Sequence, residues 1–488
     1  MTCGDPMARR KLPSDDEGYH RDYDDFLARY PAYLGTSVLD ALREREYRRL
    51  DERGHVYLDY TGGGLYAVSQ IEEHMRLLLS GIFGNPHSSS PASAAATDLV
   101  ESTREHILRY FRASADEYVV VFTQNATAAI KLVAESYPFG PETRLLLTAD
   151  NHNSVNGIRE YASARGAEVS YLPLTQGEER IDAGALSAAL PLEGRRGGLF
   201  AFPAQSNFTG VQHDLAWIKR AQQEGWDVLL DAAAYAPTNG LDLGAWQPDF
   251  VSISFYKMFG YPTGIGCLIA RKQALHKLVR PWYAGGTVAF ASVQAFRGPR
   301  TAHYLLPGST GFEDGTLNYL SIPAVDIGLR HIEQLGIDTI HARVRSLTGW
   351  LLEELCALRY RGGQRLVHVY GPVSTAGRGG TVLFNLLQPD GRVMEPSLVQ
   401  RQADSVGISL RSGCHCNPGA REAAFGMQAA DLEACFAGMA DSDVGSFMNS
   451  VADKMDGALR ASFGIASNFR DAWQLMLFLD RLQDRNSG

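Results

Sequence analysis

Between about residues 81 and 320 the chain alternates short, almost continuously apolar runs with stretches of helical period, and each apolar run ends on polar residues. The runs are EYVVVFT, TRLLLTA, GGLFAFPA, DVLLDA and DFVSISF. A strand that is apolar on both faces must be covered on both sides, as happens in a parallel sheet flanked by helices. ATAAIKLVAESY after the first run and SVNGIREYASARG after the second are predicted to be covering helices. From about Pro323 the pattern changes. AVDIGLRHIEQLG and TIHARVRSLTGWLLEELCALRY predict a long helix, TVLFNLL a strand, GISLR a turn and RDAWQLMLFLDRLQ a last helix. A chain of 488 residues exceeds what one core usually carries. The expected architecture is α/β: a charged, tyrosine-rich helical arm over 1–45, a large sheet domain over 46–325, and a smaller α+β domain over 326–488. The first part of the large domain is free to pack with the small one.

The formal net charge of −9, with no basic stripe, argues against a nucleic-acid or anionic-membrane partner. No apolar run reaches the roughly 20 residues that span a bilayer, and the opening MTCGDPMARRKLPSDDEGYH has no apolar signal core. A cytoplasmic location is expected. Six cysteines in so long a chain do not make a disulfide framework. Cys3, Cys267, Cys356 and Cys435 read as spectators or small buried hydrophobes. Cys414 and Cys416 lie together in RSGCHCNPGA, bounded by glycine and proline. Their residues alone leave a zinc site, a disulfide, a redox pair and a nucleophile open.

Ligands of an open parallel sheet sit beyond the carboxyl ends of its strands, so the residues there carry the chemistry. VVVFT is followed by QNAT and a helix, whose first N–H groups and Thr127 hydroxyl suit a phosphate or form an ordinary cap. TRLLLTA delivers His152, which can stack on an aromatic cofactor or serve as a hydrogen-bonded structural residue. GLFAFPA delivers Asn207, a directional donor. DVLL delivers Asp231, a carboxylate that needs a partner: a protonated pyridine nitrogen, a helix N-terminus or a salt bridge. DFVSISF delivers Lys257 among aromatic and apolar neighbours, where desolvation favours the neutral amine that attacks an aldehyde, unless the chain snorkels to water. A phosphate cradle, a ring stacker, a pyridinium partner and an imine-forming lysine are together what pyridoxal 5'-phosphate requires.

These stretches also carry a family resemblance that runs through most of the chain. VYLDYTGGGLY, GNPHSSS, VFTQNATAAIKLVAE, DNHNSV, PAQSNFTGVQ, LLDAAAY, SFYKMFGYPTGIG, FEDGTLNYLSIPA and RSGCHCNPGA resemble the class V aminotransferase family. These are fold type I pyridoxal-phosphate enzymes, with a large, mostly parallel sheet of the seven-stranded type sandwiched by helices and a smaller α+β domain. PAQSNFTGV, SFYKMFGYPTGIG, FEDGT and the C-x-C-N-x-G loop are similar to its molybdenum cofactor sulfurase and cysteine desulfurase branch. The resemblance implies that Lys257 holds the cofactor and shuttles a proton, that Asp231 pairs with the pyridine nitrogen, and that His152 stacks on the ring. It places Asn207 at the phenolic oxygen or the substrate. Ala126, Thr127 and Ser254 fall on the phosphate, with Thr316 reaching it from a partner subunit and so implying a homodimer. Arg460, in ALRASFG, falls on the arginine that grips a substrate carboxylate, for which a planar fork is suited. Cys416 falls on the loop cysteine that attacks sulfur, with His415 or nearby arginines such as Arg411 available to stabilise its thiolate. No C-x-x-C or H-x-x-x-H pair supports a zinc site instead, and a Cys414–Cys416 disulfide would close too tight a ring to be an ordinary bridge.

The implied activity converts L-cysteine or a related amino acid to alanine and a persulfide on Cys416, for an acceptor protein or small molecule. Because the chain ends at Gly488, the molybdenum-cofactor-binding domain of eukaryotic-type sulfurases is expected to be absent and the acceptor separate. Two positions depart from the desulfurase pattern: Ala234 stands where glutamine is frequent and Tyr256 where histidine is common. The alternatives are a lyase, aminotransferase or epimerase using the same Lys257 and Asp231 on another amino acid, and a non-catalytic scaffold.

Overall fold

In the computed structural model, which describes residues 16–485 apart from 87, 193, 195–196, 299–301, 431 and 434–456, each of the five apolar runs becomes a strand. Cys3 and Cys435 lie outside the described residues. In chain order the strands are β1 (Val56–Tyr57), β2 (Tyr118–Thr123), β3 (Thr143–Thr148), β4 (Glu168–Leu172), β5 (Gly197–Pro203), β6 (Trp226–Asp231), β7 (Phe250–Ser254) and β8 (Gly266–Arg271). They continue with β9 (Val288–Ala291), β10 (His303–Leu305), β11 (Val367–Tyr370), β12 (Thr381–Leu386), β13 (Ile408–Ser409), β14 (Arg411–Gly413) and β15 (Ala458–Ser462). Seven of them form one sheet in the order β2-β8-β7-β6-β5-β3-β4. Only β8 opposes its neighbours, running antiparallel to β2 and β7; the other pairs are parallel.

Successive side chains of a strand point to opposite faces, and both faces of this sheet are apolar. Leu145 and Leu147 join Ile130, Val133 and Ile158 from helices Ala126–Ser136 and Ile158–Ala164. Leu146, Phe202 and Val228 point the other way, into the cluster containing Ile218 and Ala221 of helix Ala216–Gln223. Burial of each such side chain contributes about 1.5–3 kcal/mol. The helix expected after the second run is interrupted at Gly157, giving Asn153–Asn156 and then Ile158–Ala164.

The second sheet is antiparallel, in the order β11-β12-β15-β14. GISLR, expected as a turn, instead supplies β13 and the start of β14. Their partners are distant in sequence: Val56 pairs with Ile408, and Arg411 with Arg460. Helix Asp16–Arg29 of the arm stacks Phe26 on Phe469, at the start of helix Phe469–Arg485. Arg343, buried in helix Ile337–Ala357, fixes the following segment by donating to both oxygens of Asp40 at 2.7 Å.

A buried histidine clamps the helices Pro91–Tyr110 and Pro323–Leu335. His106 Nδ1 lies 2.6 Å from Asp326 and Nε2 3.0 Å from Glu333. The hydrogen bond to Asp326 leads in raising its pKa above the ordinary histidine value. A base raised on folding stabilises the native state fully below its unfolded pKa of about 6.5, and loses that contribution as pH rises through the folded value. A His106→Gln variant is therefore expected to melt lower than the parent at about pH 5.5, with the gap narrowing towards about pH 8.5. Thermal denaturation at the two pH values checks this; a gap that widens with pH would contradict it.

Candidate functional site

The carboxyl ends of β2, β3, β5, β6 and β7 converge on one cleft, open to solvent, that brings together Ala126, Thr127, His152, Asn207, Asp231, Ser254 and Lys257. Asn125 caps helix Ala126–Ser136, its side chain accepting from the Ala128 amide. The Ala126 amide is spent on Ser254 Oγ at 2.9 Å, so Ala126 fixes that hydroxyl rather than offering a free N–H. Thr127 Oγ1 meets Ser154 Oγ at 2.7 Å, and Ser154 Oγ meets His152 Nδ1 at 2.9 Å. Ser154 was not singled out from the sequence; its hydroxyl completes a cluster that only the fold assembles.

His152 Nδ1 accepts from the Ser154 amide, which places the ring proton on Nε2. Desolvation leads in lowering its pKa, so the ring is neutral. Asp231 is buried, and its Oδ1 accepts from Ser252 Oγ at 3.0 Å and the Ala233 amide at 3.1 Å. Lys257 stands on the short helix Phe255–Phe259 that follows β7. Desolvation pushes its pKa down; Asp231 pulls the other way, and Arg460 and Arg411 add to the lowering. The TGGGL stretch crosses this helix, with the Gly64 amide donating to Tyr256 O at 3.0 Å. A Cβ on Gly64 would lie 2.9 Å from Lys257 O, so the backbone approach beside the lysine needs glycine.

At the edge of the cleft, bonded to its lining residue Asn207 but not itself among the residues that line it, Arg460 is 3% exposed. It donates from Nη1 to Asn207 O at 2.8 Å and from Nη2 to Asp59 Oδ1 at 3.0 Å. Arg411 binds the other Asp59 oxygen, at 2.9 Å from Nε and 2.6 Å from Nη2. Asp59 has no counterpart in the sequence reading.

The cysteine loop docks on the same rim. Asn207 Nδ2 donates to His415 O at 2.7 Å, the Asn153 amide to Cys416 O at 2.8 Å, and Asn417 Nδ2 to Asp150 O at 2.6 Å and Asn207 Oδ1 at 3.0 Å. These bonds hold His415 and Cys416 at φ values of 52° and 55°, a left-handed conformation that costs about 1–2 kcal/mol per non-glycine residue. Cys416 and Cys414 are exposed free thiols, whereas burial raises the pKa of Cys267. Of the groups expected to stabilise the Cys416 thiolate, His415 or a nearby arginine such as Arg411, the histidine is turned away from solvent. Its ring is buried, with Nε2 3.1 Å from Ala458 O, and desolvation leads in pushing its pKa down to about 3. A neutral imidazole supplies no positive charge. Thr316 lies outside the cleft of its own chain and lines a separate hollow with Gln124, Asn125 and Gly264. Among the described residues, no group of three or more His, Cys, Asp and Glu side chains is placed to hold a metal ion, and no helix is long and apolar enough to cross a membrane.

A buried carboxylate, a desolvated lysine and a helix-capped hydroxyl cluster at the ends of parallel strands agree with a sequence-family comparison, in which the model of "Aminotransferase class-V" matches residues 56–475. The chain belongs to the class-V aminotransferase family. Its curated relatives include the molybdenum cofactor sulfurases of Solanum lycopersicum and Homo sapiens. The first is 36% identical, covering 93% of this chain and 59% of the relative; the second is 35% identical, covering 93% and 52%. The chain thus spans a little over half the length of these relatives. Among solved structures, an apo cysteine desulfurase from Thermococcus onnurineus NA1 aligns with a TM-score of 0.74 at 22% identity, covering 91% of this chain and 98% of that one. The cysteine desulfurase CsdA from Escherichia coli aligns with a TM-score of 0.72 at 20% identity, covering 92% and 98%. Both share the fold.

Members of the class-V family use pyridoxal 5'-phosphate, and this cleft fits it. A buried carboxylate with one oxygen already fixed suits a pyridinium nitrogen, a neutral imidazole can lie against a ring, and the Thr127, Ser154 and Ser254 hydroxyls beside a helix N-terminus suit a phosphate dianion.

Proposed function

We propose that this chain is a pyridoxal-phosphate-dependent cysteine desulfurase of the molybdenum cofactor sulfurase type, converting L-cysteine to L-alanine and a persulfide on Cys416. The observation that carries this is the docking of the cysteine loop on the cofactor cleft through Asn207, Asn153 and Asn417. When bound, the cofactor supplies the electron sink that makes the substrate Cα–H acidic. Asp231 would hold the pyridine nitrogen protonated, His152 would cover the ring, and Thr127, Ser154 and Ser254 would hold the phosphate. Lys257 Nζ, whose pKa desolvation lowers, would take the proton from Cα and return it. Arg460 would bind the substrate carboxylate. The Cys416 thiolate would attack the substrate Sγ. As the S–S bond forms the Cβ–S bond breaks, and its electron pair stays on carbon to be protonated as the methyl group of alanine.

The persulfide would then leave with the loop and pass its outer sulfur to an acceptor, a separate protein or a small molecule. The strain stored at His415 and Cys416 favours such release. A homodimer would bring Thr316 of a second copy to the phosphate. In support, the β9–β10 hairpin leaves Phe290 60%, Val293 94% and Tyr304 74% exposed, an apolar surface suited to a partner. The free thiols and acidic charge suit a reducing cytoplasm.

Incubation of the cofactor-loaded enzyme with one equivalent of L-cysteine tests this. Equimolar alanine and one added sulfur atom on the peptide containing Cys416 are expected. Cofactor binding with neither product would refute the assignment of the reaction.

A further inference from the structure

We propose that Asp59 is a positioning residue for the substrate carboxylate. Its two oxygens hold Arg460 and Arg411 apart and in register, so that Arg460 meets an amino-acid carboxylate already oriented. The inference deepens the desulfurase proposal and rests on its assignment of an amino-acid substrate.

Arg411 and Arg460 are direct partners across the β14–β15 ladder. Two guanidinium groups in opposed positions repel each other, and arginine cannot relieve this by losing its proton. Asp59 belongs to neither strand. It enters from the segment after β1, through a single bridge to Ser462, and places one carboxylate between the two cations. With the Asn207 carbonyl on Nη1, Arg460 is fixed at both ends of its fork.

What remains points to a ligand. Arg460 Nε is buried and has no hydrogen-bond partner, although an unmet donor on a charged group is costly. Two guanidinium groups and one carboxylate leave a net charge of +1 in the cluster. Of the other groups beside this cluster, His415 is neutral and the Tyr57 hydroxyl donates to Gly63 O. The charge of an α-carboxylate is the complement the cluster lacks. Gly62 reserves the space: a Cβ there would lie 2.5 Å from Asp59 Oδ2 and 2.8 Å from Arg411 Nη2. A methyl group at position 62 would therefore displace the ion pair without removing a charge.

The test uses the cofactor-loaded enzyme and the variants Asp59→Asn, Gly62→Ala and Asp59→Glu. One readout is KM and kcat for L-cysteine. The other is titration of the cofactor's visible absorbance with L-alanine and with ethylamine, which is alanine without its carboxylate. In Asp59→Asn, KM is expected to rise on the order of tenfold, more than kcat falls, and the preference for L-alanine over ethylamine to shrink by a similar factor. Gly62→Ala should move both readouts in the same direction, and Asp59→Glu should restore part of the preference. A lower melting temperature with the preference intact would make Asp59 merely structural and overturn the proposal. So would tighter L-alanine binding in Asp59→Asn, which would make Asp59 a competitor, or a parent enzyme that binds the two ligands equally. If L-cysteine gives no alanine but the preference still falls in the variants, the positioning role stands and the desulfurase assignment alone is lost.

Discussion

Replacing Cys416 by alanine is expected to lower the rate of sulfur release from L-cysteine by about 10³-fold or more, the scale of losing a catalytic nucleophile, while leaving the cofactor spectrum unchanged. The reason lies in where the thiol stands. Cys416 is exposed on the rim, and the loop is held by main-chain carbonyls and asparagine side chains rather than by the thiol. Alanine at φ 55° pays a left-handed cost similar to that of cysteine, so the loop should still dock. Cys414→Ala should retain activity within about twofold, because an exposed thiol two residues away makes none of these bonds. The measurement is single-turnover alanine formation together with mass mapping of bound sulfur. Sulfur release by the Cys416 variant at more than about a tenth of the parent rate would remove the nucleophile from the mechanism. Transfer of the persulfide to position 414 would be visible in the same mass spectra.

The local signals were legible because each polar cluster directly follows the apolar run that places it. QNAT, DNHNS, Asp231 and Lys257 needed only the rule that parallel strands present their carboxyl ends to one edge. What escaped depends on contacts between distant segments. Asp59 meets Arg460 across 401 positions, and no local pattern marks an aspartate after VYL as the partner of an arginine near the end of the chain. GISLR looks like a turn until β1 supplies a partner for Ile408. His415 between two cysteines suggests a charged helper; only the packing of Phe208 and the Ala458 carbonyl around it shows a buried, neutral ring. The β8 run IGCLIA had strand character in its composition, but its antiparallel direction is set by the short connection from the Lys257 helix and not by its residues.

Lys257→Ala is expected to reduce alanine formation on the order of 10³-fold and to weaken retention of the cofactor without abolishing binding. Asp231 and the hydroxyls of Thr127, Ser154 and Ser254 remain in the cleft, so the cofactor keeps its polar contacts but loses the amine that secures its aldehyde. Removal by dialysis should therefore be faster than from the parent. The cleft is open to solvent, so a small amine can enter the space the side chain vacates, and methylamine should restore part of the activity. The pH dependence then separates the two amines. Desolvation holds Lys257 below the ordinary lysine value, and a base acts only when deprotonated. The parent should reach full activity at a lower pH than ordinary lysine chemistry would allow. The methylamine-supported reaction should keep rising with pH, because an amine drawn from water carries no desolvation until it binds. Rate profiles of the parent and the rescued variant make the comparison. Coincident profiles would mean that the proton at the substrate Cα is handled by another group. Activity restored in the variant by saturating cofactor alone, without methylamine, would mean that Lys257 acts in holding the cofactor rather than in proton transfer.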